Sequence, residues 1–370
     1  MKYFVTLVLA LVILWPLDAL AQTDSFNDGT VEARAVVERV VEEQLDPPEE
    51  AWQVVEVRIN QEGEYDNRLF TVDSREGNLV GLRHEVKDGQ EVKVLIVPAS
   101  DYSAPVVFIT DVVRLNVIML LLILFVVVTL AIGLLRGFSS LIGLGVIMLV
   151  LFGFILPQLI NGHSPILITL IGSAVILAVS IFGTHGFRKP SWAAFLGTIS
   201  GLVITGILAL IFVQAASLTG LASDEAATLQ LKTGLSLNAQ GLLLAAIIIG
   251  ALGVLDDVTV TQSTTVFELA ETDPTLSKRQ LARRAMRIGR HHIASMVNTL
   301  VLAYAGASLP LLLLFLASDQ STLGLLNSEL IAEEVVRTLV GTIGLIAAVP
   351  LATWFAVIYA KRDRKKFEQR

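Results

Sequence analysis

Long apolar stretches fill most of the chain after residue 113, and each is long enough to span a bilayer. A helix needs about 20 apolar residues to cross a hydrocarbon core roughly 30 Å thick. Seven stretches meet this requirement: Leu115–Leu135, Phe138–Leu156, Ile166–Gly183, Trp192–Val213, Gly241–Val260, Ile293–Leu316 and Val335–Ala360. The pattern predicts an α-helical polytopic membrane protein with about seven transmembrane helices in residues 113–360.

Residues 22–112 have a different pattern, in which apolar and charged positions alternate. Val55, Val57 and Ile59 follow this period of two, and Val92, Val94 and Ile96 repeat it. Such alternation predicts half-buried strands. The Asp88-Gly89 pair predicts a tight hairpin between Leu82–Val86 and Glu91–Val97. Five or six short strands in roughly 80 residues favour a small barrel of OB-like type.

The N-terminus reads as a secretory signal peptide over residues 1–21. Lys2 supplies the charge, Phe4–Leu17 the apolar region, and Ala19-Leu20-Ala21 a small-x-small cleavage site. An uncleaved anchor helix is the alternative. Either way, the β domain that follows is predicted to be exported.

Basic residues mark one side of the predicted bundle. Counting alternate inter-span segments gives 15 Lys/Arg in Arg136, Arg188-Lys189, Lys278–Arg290 and the tail of residues 361–370. The opposite side holds Lys232, Arg337 and, at the junction with the β domain, Arg114. The positive-inside rule therefore places the β domain outside a bacterial plasma membrane and the C-terminus in the cytoplasm. The amphipathic segment Lys278–Arg290 is expected to lie on anionic membrane lipid.

Composition narrows the function classes. The chain is 54% hydrophobic with mean hydropathy +0.70, as expected of a membrane protein. Zero cysteines exclude disulfides and thiolate metal sites. The basic residues lie where membrane topology already explains them, so nucleic acid is not a predicted partner. A hydrolase triad, a P-loop and a His-rich metal motif are all missing, which predicts a protein that is not an enzyme and needs no cofactor.

Asp256 and Asp257 are the only carboxylates inside the seven stretches. A charge deep in hydrocarbon costs about 2.5–3.5 kcal/mol, so a partner, a cavity, a cation or a proton must compensate it. Helical spacing places Thr261, Thr264 and Glu268 on the face of Asp257, with Asp256 about 100° away. One interpretation is a stripe of oxygen ligands that runs from mid-membrane to the cytoplasm. The other is a polar helix end, where Thr bonds its own helix and Glu268 is solvated.

The sixth stretch carries further polar residues. Asn298 and Thr299 are expected at the depth of Asp257, where they could donate hydrogen bonds to its carboxylate, and Tyr304 is expected to line the path. Asn298 could equally serve as a structural contact between helices. In the fourth stretch, Gly197 and Gly201 form a small-xxx-small pattern that lets helices approach closely.

These residues resemble the YibE/F family of bacterial multi-pass membrane proteins. The resemblance rests on Gly250-Ala-Leu-Gly-Val-Leu-Asp-Asp-Val, on Glu268-Leu269 and on Asn298-Thr-Leu-Val-Leu-Ala-Tyr-Ala-Gly306. It covers roughly residues 80–360, and the family's recurring polar positions match Asp257, Glu268, Asn298 and Tyr304. Many relatives carry an apolar residue at position 256. The family has no established activity, and the resemblance implies permease-like transport.

Two functions follow from these features. The first is a permease in which Asp257, with Asp256 or Thr261, binds a proton or a cation and a small solute or ion crosses the membrane. The second is a non-transporting scaffold, alone or as a homo-oligomer, whose exported β domain binds an envelope partner. Water at Asp257 would favour the permease, and a dry site would favour the scaffold.

Overall fold

The computed structural model describes residues 30–44, 51–61, 63–76, 85–98, 105–233, 238–317 and 321–367. The predicted signal peptide at 1–21 lies outside these residues. The chain divides into two compact units, with the boundary between Val128 and Thr129. Each unit is described by itself.

The N-terminal unit contains one antiparallel sheet of five strands that curls into half a barrel. The strands lie in the order β3-β2-β1-β4-β5 and comprise β1 (Val31–Gln44), β2 (Trp52–Ile59), β3 (Leu69–Asp73), β4 (Glu91–Val97) and β5 (Val106–Val112). The alternating residues predicted to face inward are buried in its core, among them Val57, Val92 and Ile96. The small β domain is therefore confirmed.

The predicted hairpin between Leu82–Val86 and Glu91–Val97 is wrong for the part of it that the structure describes. Leu82 to His84 lie outside the described residues, Glu85 and Val86 are not in a strand, and both edges of β4 are occupied by β1 and β5. The turn itself exists, since Gly89 has φ +78° and its N–H donates to the Val37 carbonyl at 2.8 Å. The 14-residue strand β1, which is distant in sequence, pairs with β4 in place of the segment before the turn.

Gln53 ties the described sheet to the segment before β4. Its side chain is 2% exposed, donates to the Val86 carbonyl (3.2 Å) and accepts from the Val86 N–H (3.0 Å). A Gln53→Ala change would leave both buried backbone groups unpaired, which costs about 1–3 kcal/mol. We expect amide hydrogen exchange in β2 and β4 of the full chain to accelerate about 10-fold or more.

Gln61→Ala is the matched control. Gln61 accepts a hydrogen bond from the Arg34 N–H at an exposed position, so its loss should leave exchange nearly unchanged. Equal acceleration by both substitutions would contradict the role assigned to Gln53.

The C-terminal unit is helical. Its elements, which begin with a helix shared across the unit boundary, are α1 (Leu115–Val150), a π-helical segment (Leu151–Ile155), α2 (Leu156–Ile160), α3 (Pro165–His185), α4 (Lys189–Ala215), α5 (Asp224–Thr233), α6 (Ala239–Thr272), α7 (Lys278–Ala307), α8 (Leu309–Leu316), α9 (Thr322–Leu326) and α10 (Glu329–Phe367). Within α1 the backbone is non-helical at Leu134, where φ is 48°. This break separates two spans, Leu115–Leu135 and Gly137–Ile160.

Six helices in the described residues are long and apolar enough to cross a membrane, and a bent pair supplies a seventh span. The bent pair is α7 with α8, which meet at 68° around Ser308. The predicted set of about seven spans is therefore confirmed, with the sixth broken rather than straight. Pro310 at the start of α8 explains the break, because proline cannot continue the hydrogen-bond ladder of the preceding helix.

Close contacts fix the directions of the packed helices. Gly197, Gly201 and Thr205 on α4 lie against Ala352, Ala348 and Gly344 on α10, so these helices are antiparallel. A Cβ on Gly197 would lie 2.7 Å from the Cα and Cβ of Ala352, which confirms the predicted close approach at the small-xxx-small pattern.

Helices α3 and α6 run parallel to each other. Pro165 contacts Gly241 at one end, and Ser180 hydrogen-bonds Asp256 toward the other. The 21 residues of α3 are about 32 Å long at 1.5 Å per residue, which matches the hydrocarbon thickness. This register sets the depth of every residue on α6.

Candidate functional site

The two adjacent aspartates of α6, Asp256 and Asp257, lie near one end of the membrane-spanning region. Asp256 is level with Ser180, five residues before the end of α3 at His185, and therefore roughly 8 Å from that end. The expectation of a mid-membrane position for Asp256 and Asp257 is corrected accordingly. The apolar run that begins at Gly241 fills most of the bilayer, so the two aspartates that follow it lie close to the far end of the span.

Asp256 points into the bundle, toward α3. One carboxylate oxygen accepts a hydrogen bond from Ser180 Oγ at 2.6 Å. The other, Oδ1, is buried and has no hydrogen-bond partner within the described chain. An unpaired buried acceptor costs about 1–3 kcal/mol, and more when it is charged. Asp256 therefore has a free, desolvated oxygen that a proton or a cation would stabilise.

Asp257 points the other way. It is exposed, and no hydrogen bond or ion pair of its side chain is found among the described residues. Thr261, Thr264 and Glu268 are exposed on the same face, as their spacing predicted. The Thr264 hydroxyl donates to the Val260 carbonyl at 2.9 Å, which is a bond within its own helix.

Asn298 and Thr299 do not reach Asp257 in the structure. Helices α6 and α7 are antiparallel, with Gln262 against Gly289 and Gly250 against Tyr304, so Asn298 lies only about half a turn further into the membrane than Asp257. Asn298 is exposed, and the Thr299 hydroxyl donates to the Ser295 carbonyl at 3.1 Å. The proposed hydrogen bonds from this pair to the carboxylate are therefore not observed.

Tyr304 lies at the middle of the bundle. Its hydroxyl is so close to α6 that a Cβ on Gly250 would lie 2.6 Å from it. Its ring lines a cavity of about 240 Å³ beside the break between α7 and α8, together with Glu334 and Thr338 of α10. This cavity is separate from the one near Asp256, and that Tyr304 lines a transport path stays a prediction.

A second cavity, of about 500 Å³, lies at the His185 end of α3, and we call it the vestibule. It is lined by His185, Arg188, Lys189, Pro190, Ser191, Val260, Thr264, Phe267, Glu268 and Glu271. Val260 is one turn from Asp256 on α6, and His185 is the last residue of α3, five positions after Ser180. The structure therefore brings Thr264 and Glu268 together in one cavity that ends near Asp256.

The turn from α3 to α4 holds the basic wall of the vestibule in place. Phe182 and Phe187 stack with their ring centroids 4.8 Å apart, and Trp192 packs against Phe182 at 4.7 Å. Ser263 of α6 donates to the Pro190 carbonyl at 2.7 Å. These contacts fix the turn that carries Arg188.

Sequence reasoning missed several polar residues that the bundle assembles. Ser180 was not singled out because serine is common in transmembrane helices, and only the register of α3 against α6 places it at Asp256. Gln262 is 3% exposed and donates to Thr353 Oγ1 (2.7 Å) and the Ala285 carbonyl (3.2 Å), which joins α6 to α7 and α10. An amide side chain on an otherwise apolar helix face is the signal in the sequence that could have identified Gln262.

At the opposite end, Glu333 is 8% exposed and its Oε1 has no hydrogen-bond partner within the described chain. Arg337, one turn away on α10, pairs instead with Glu334 at 2.9 Å. No group of three or more His, Cys, Asp or Glu side chains suited to a metal ion is present in the described ranges.

Residues 121–362 match the sequence model of a family described as YibE/F-like protein. The matched region includes both cavities and every candidate residue above. No curated protein matches the chain. No solved structure matches it either.

Proposed function

The chain belongs to the YibE/F-like family, and from this premise we propose that this multi-pass membrane protein is a permease with Asp256 as its proton or cation site. The observation that carries the proposal is the buried, unpartnered Oδ1 of Asp256 one turn from the vestibule. Ionisable residues inside membrane proteins usually face cavities and mark ion or proton pathways. The sequence alone favours Asp257 for this role, and the inward direction of the Asp256 side chain favours Asp256 instead.

The proposal includes the orientation given by the basic residues. The vestibule is then on the cytoplasmic side of the bacterial plasma membrane, because Arg188, Lys189 and the start of α7 belong to the positive segments. The β domain is on the outer side. Asp256 exchanges its proton or cation with the cytoplasm through the vestibule, and Glu268 lies at the entrance.

The broken span supports transport as well. Discontinuous helices in transporters border substrate cavities near the membrane midplane. Here the 68° break between α7 and α8 adjoins the cavity that Tyr304 lines. In the proposed mechanism a solute passes between this cavity and the vestibule, while Asp256 changes its protonation or cation occupancy.

A non-transporting scaffold is the second candidate, and one observation favours it. The other buried polar side chains of α6 already have partners inside the bundle: Gln262 bonds Thr353, Ser263 bonds the Pro190 carbonyl, and Thr259 lies 2.5 Å from Thr198. These contacts lock helices together without requiring a pathway. In the scaffold, the exported β domain binds an envelope partner.

Cysteine labelling separates the two functions, because the chain has no native cysteine. Single cysteines at Ser180, Val260 and Thr264 follow the proposed path, and Ile207, exposed on the outer surface of α4, serves as the lipid-facing control. We expect a membrane-impermeant thiol reagent to label all three path positions in inside-out vesicles and to leave Ile207→Cys unmodified.

The scaffold predicts a different pattern. Thr264→Cys would still react, because it lies at the helix end, but Ser180→Cys would be protected from both sides. Labelling of Thr264→Cys from the outer side only would contradict the orientation.

A further inference from the structure

The vestibule has two walls of opposite charge. The turn from α3 to α4 contributes His185, Arg188 and Lys189, and α6 contributes Glu268 and Glu271. The division of charge across one cavity is therefore a feature that a ligand could use.

Arg188 does not neutralise Glu268 or Glu271 across the cavity. Arg188, Glu268 and Glu271 take part in no ion pair within the described part of the chain. Nearby residues that can reach each other do pair, as Arg284 and Asp273 do at 3.3 Å. The turn that carries Arg188 is fixed by Ser263 and by the stacked aromatic rings, so the two walls stay apart.

We propose that the vestibule binds a small zwitterionic solute. Its ammonium group contacts Glu268 and Glu271, and its anionic group contacts the guanidinium of Arg188 with His185 beside it. Arg suits a carboxylate because its planar donors bind both oxygens. A volume of about 500 Å³ is within the usual range for small-molecule sites. This inference rests on the proposed function, since it names the substrate class of the permease.

Two sources offer this chemistry of an ammonium and an anion on one molecule. One is a free solute of amino-acid size, and the other is the head group of phosphatidylethanolamine. Nanodiscs made with and without that lipid distinguish them, because the lipid would compete with an added solute. Binding of an added solute in both kinds of nanodisc indicates a free solute, and binding only in nanodiscs without phosphatidylethanolamine indicates the lipid head group.

The experiment is calorimetric titration of the full chain in phosphatidylglycerol nanodiscs at neutral pH. The probes are alanine, propionate and ethylamine, which are similar in size and differ in charge. We expect alanine to bind at least 10-fold more tightly than either singly charged probe. Arg188→Gln and Glu268→Gln should each weaken alanine binding at least 10-fold.

Two exposed positions outside the vestibule provide matched controls. Arg279→Gln at the start of α7 and Glu225→Gln on α5 should leave alanine binding unchanged. Loss of alanine binding when phosphatidylethanolamine is added would support the site and assign it to the lipid head group. Equal binding of propionate or ethylamine, equal effects of the control substitutions, or no binding of any probe in the discs without phosphatidylethanolamine would overturn the proposal.

The outcome is separable from that of the proposed function. If alanine fails to bind while Ser180→Cys is labelled through the vestibule, only the substrate class is wrong. If alanine binds while Ser180→Cys is protected from both sides, the proposed binding site is supported and the proposed permease function is contradicted.

Discussion

Asp256→Asn is expected to abolish the carboxylic-acid band that changes with pH in the infrared spectrum of the reconstituted protein, whereas Asp257→Asn should leave it intact. The two residues are neighbours on α6, but their side chains point in different directions. Asp256 has one oxygen bonded to Ser180 and one buried without a partner, while Asp257 is exposed. Only the desolvated carboxylate should change its occupancy as part of a mechanism.

The substitution itself should be mild for folding. Asparagine keeps an oxygen that can accept the hydrogen bond from Ser180, so the free energy of unfolding should fall by no more than about 1 kcal/mol. Infrared spectra of both variants in nanodiscs, recorded across a pH series and again with added Na⁺ or K⁺, measure the effect. A band lost in Asp257→Asn and kept in Asp256→Asn would restore the assignment made from sequence. A band unchanged in both would make the carboxylates structural.

Gly197→Val is expected to destabilise the bundle strongly. The new Cβ would lie 2.7 Å from the Cα and 3.0 Å from the N of Ala352, so backbone atoms of α10 would have to move. Overpacking costs about 1–3 kcal/mol where side chains can yield, and more where a backbone must shift. We expect most of the protein to be lost to aggregation and the rest to unfold at a lower temperature.

Gly253→Val provides the control for size and helix propensity. Gly253 lies on the exposed face of α6 and a Cβ there meets nothing within 4 Å. Fluorescence-detected size exclusion of detergent extracts, followed by a thermal series, compares the two variants. Similar yields and unfolding temperatures would show that α4 and α10 can separate without loss, and that the close approach is not required.

The sequence predicted the elements whose residues lie together along the chain. The seven spans followed from the lengths of the apolar runs, and the strands from the alternation at Val55, Val57 and Ile59. The small-xxx-small pattern at Gly197 predicted a close helix pair, but not that α10 is the partner. In each case the property is local, because bilayer thickness and sheet pleating act on a few consecutive residues.

The errors came from contacts between distant segments. The hairpin at Asp88-Gly89 was predicted from its turn, and the pairing went instead to β1. Asn298 was predicted to donate a hydrogen bond to Asp257, but it lies on an exposed face of α7 and no such bond is present among the described residues. Helical spacing alone could not say which of two adjacent carboxylates faces a neighbour, since a stripe of polar residues can point in or out.

For this protein, then, the sequence determined that the chain crosses a membrane about seven times, and that one span carries a pair of carboxylates. The tertiary structure decided that Asp256 faces Ser180 and that Glu268 shares a cavity with Arg188, residues 80 positions apart in the chain. The physical reason is that the cost of burying a charge depends on the atoms around it. Those atoms belong to helices α3 and α4, and only packing brings them to α6.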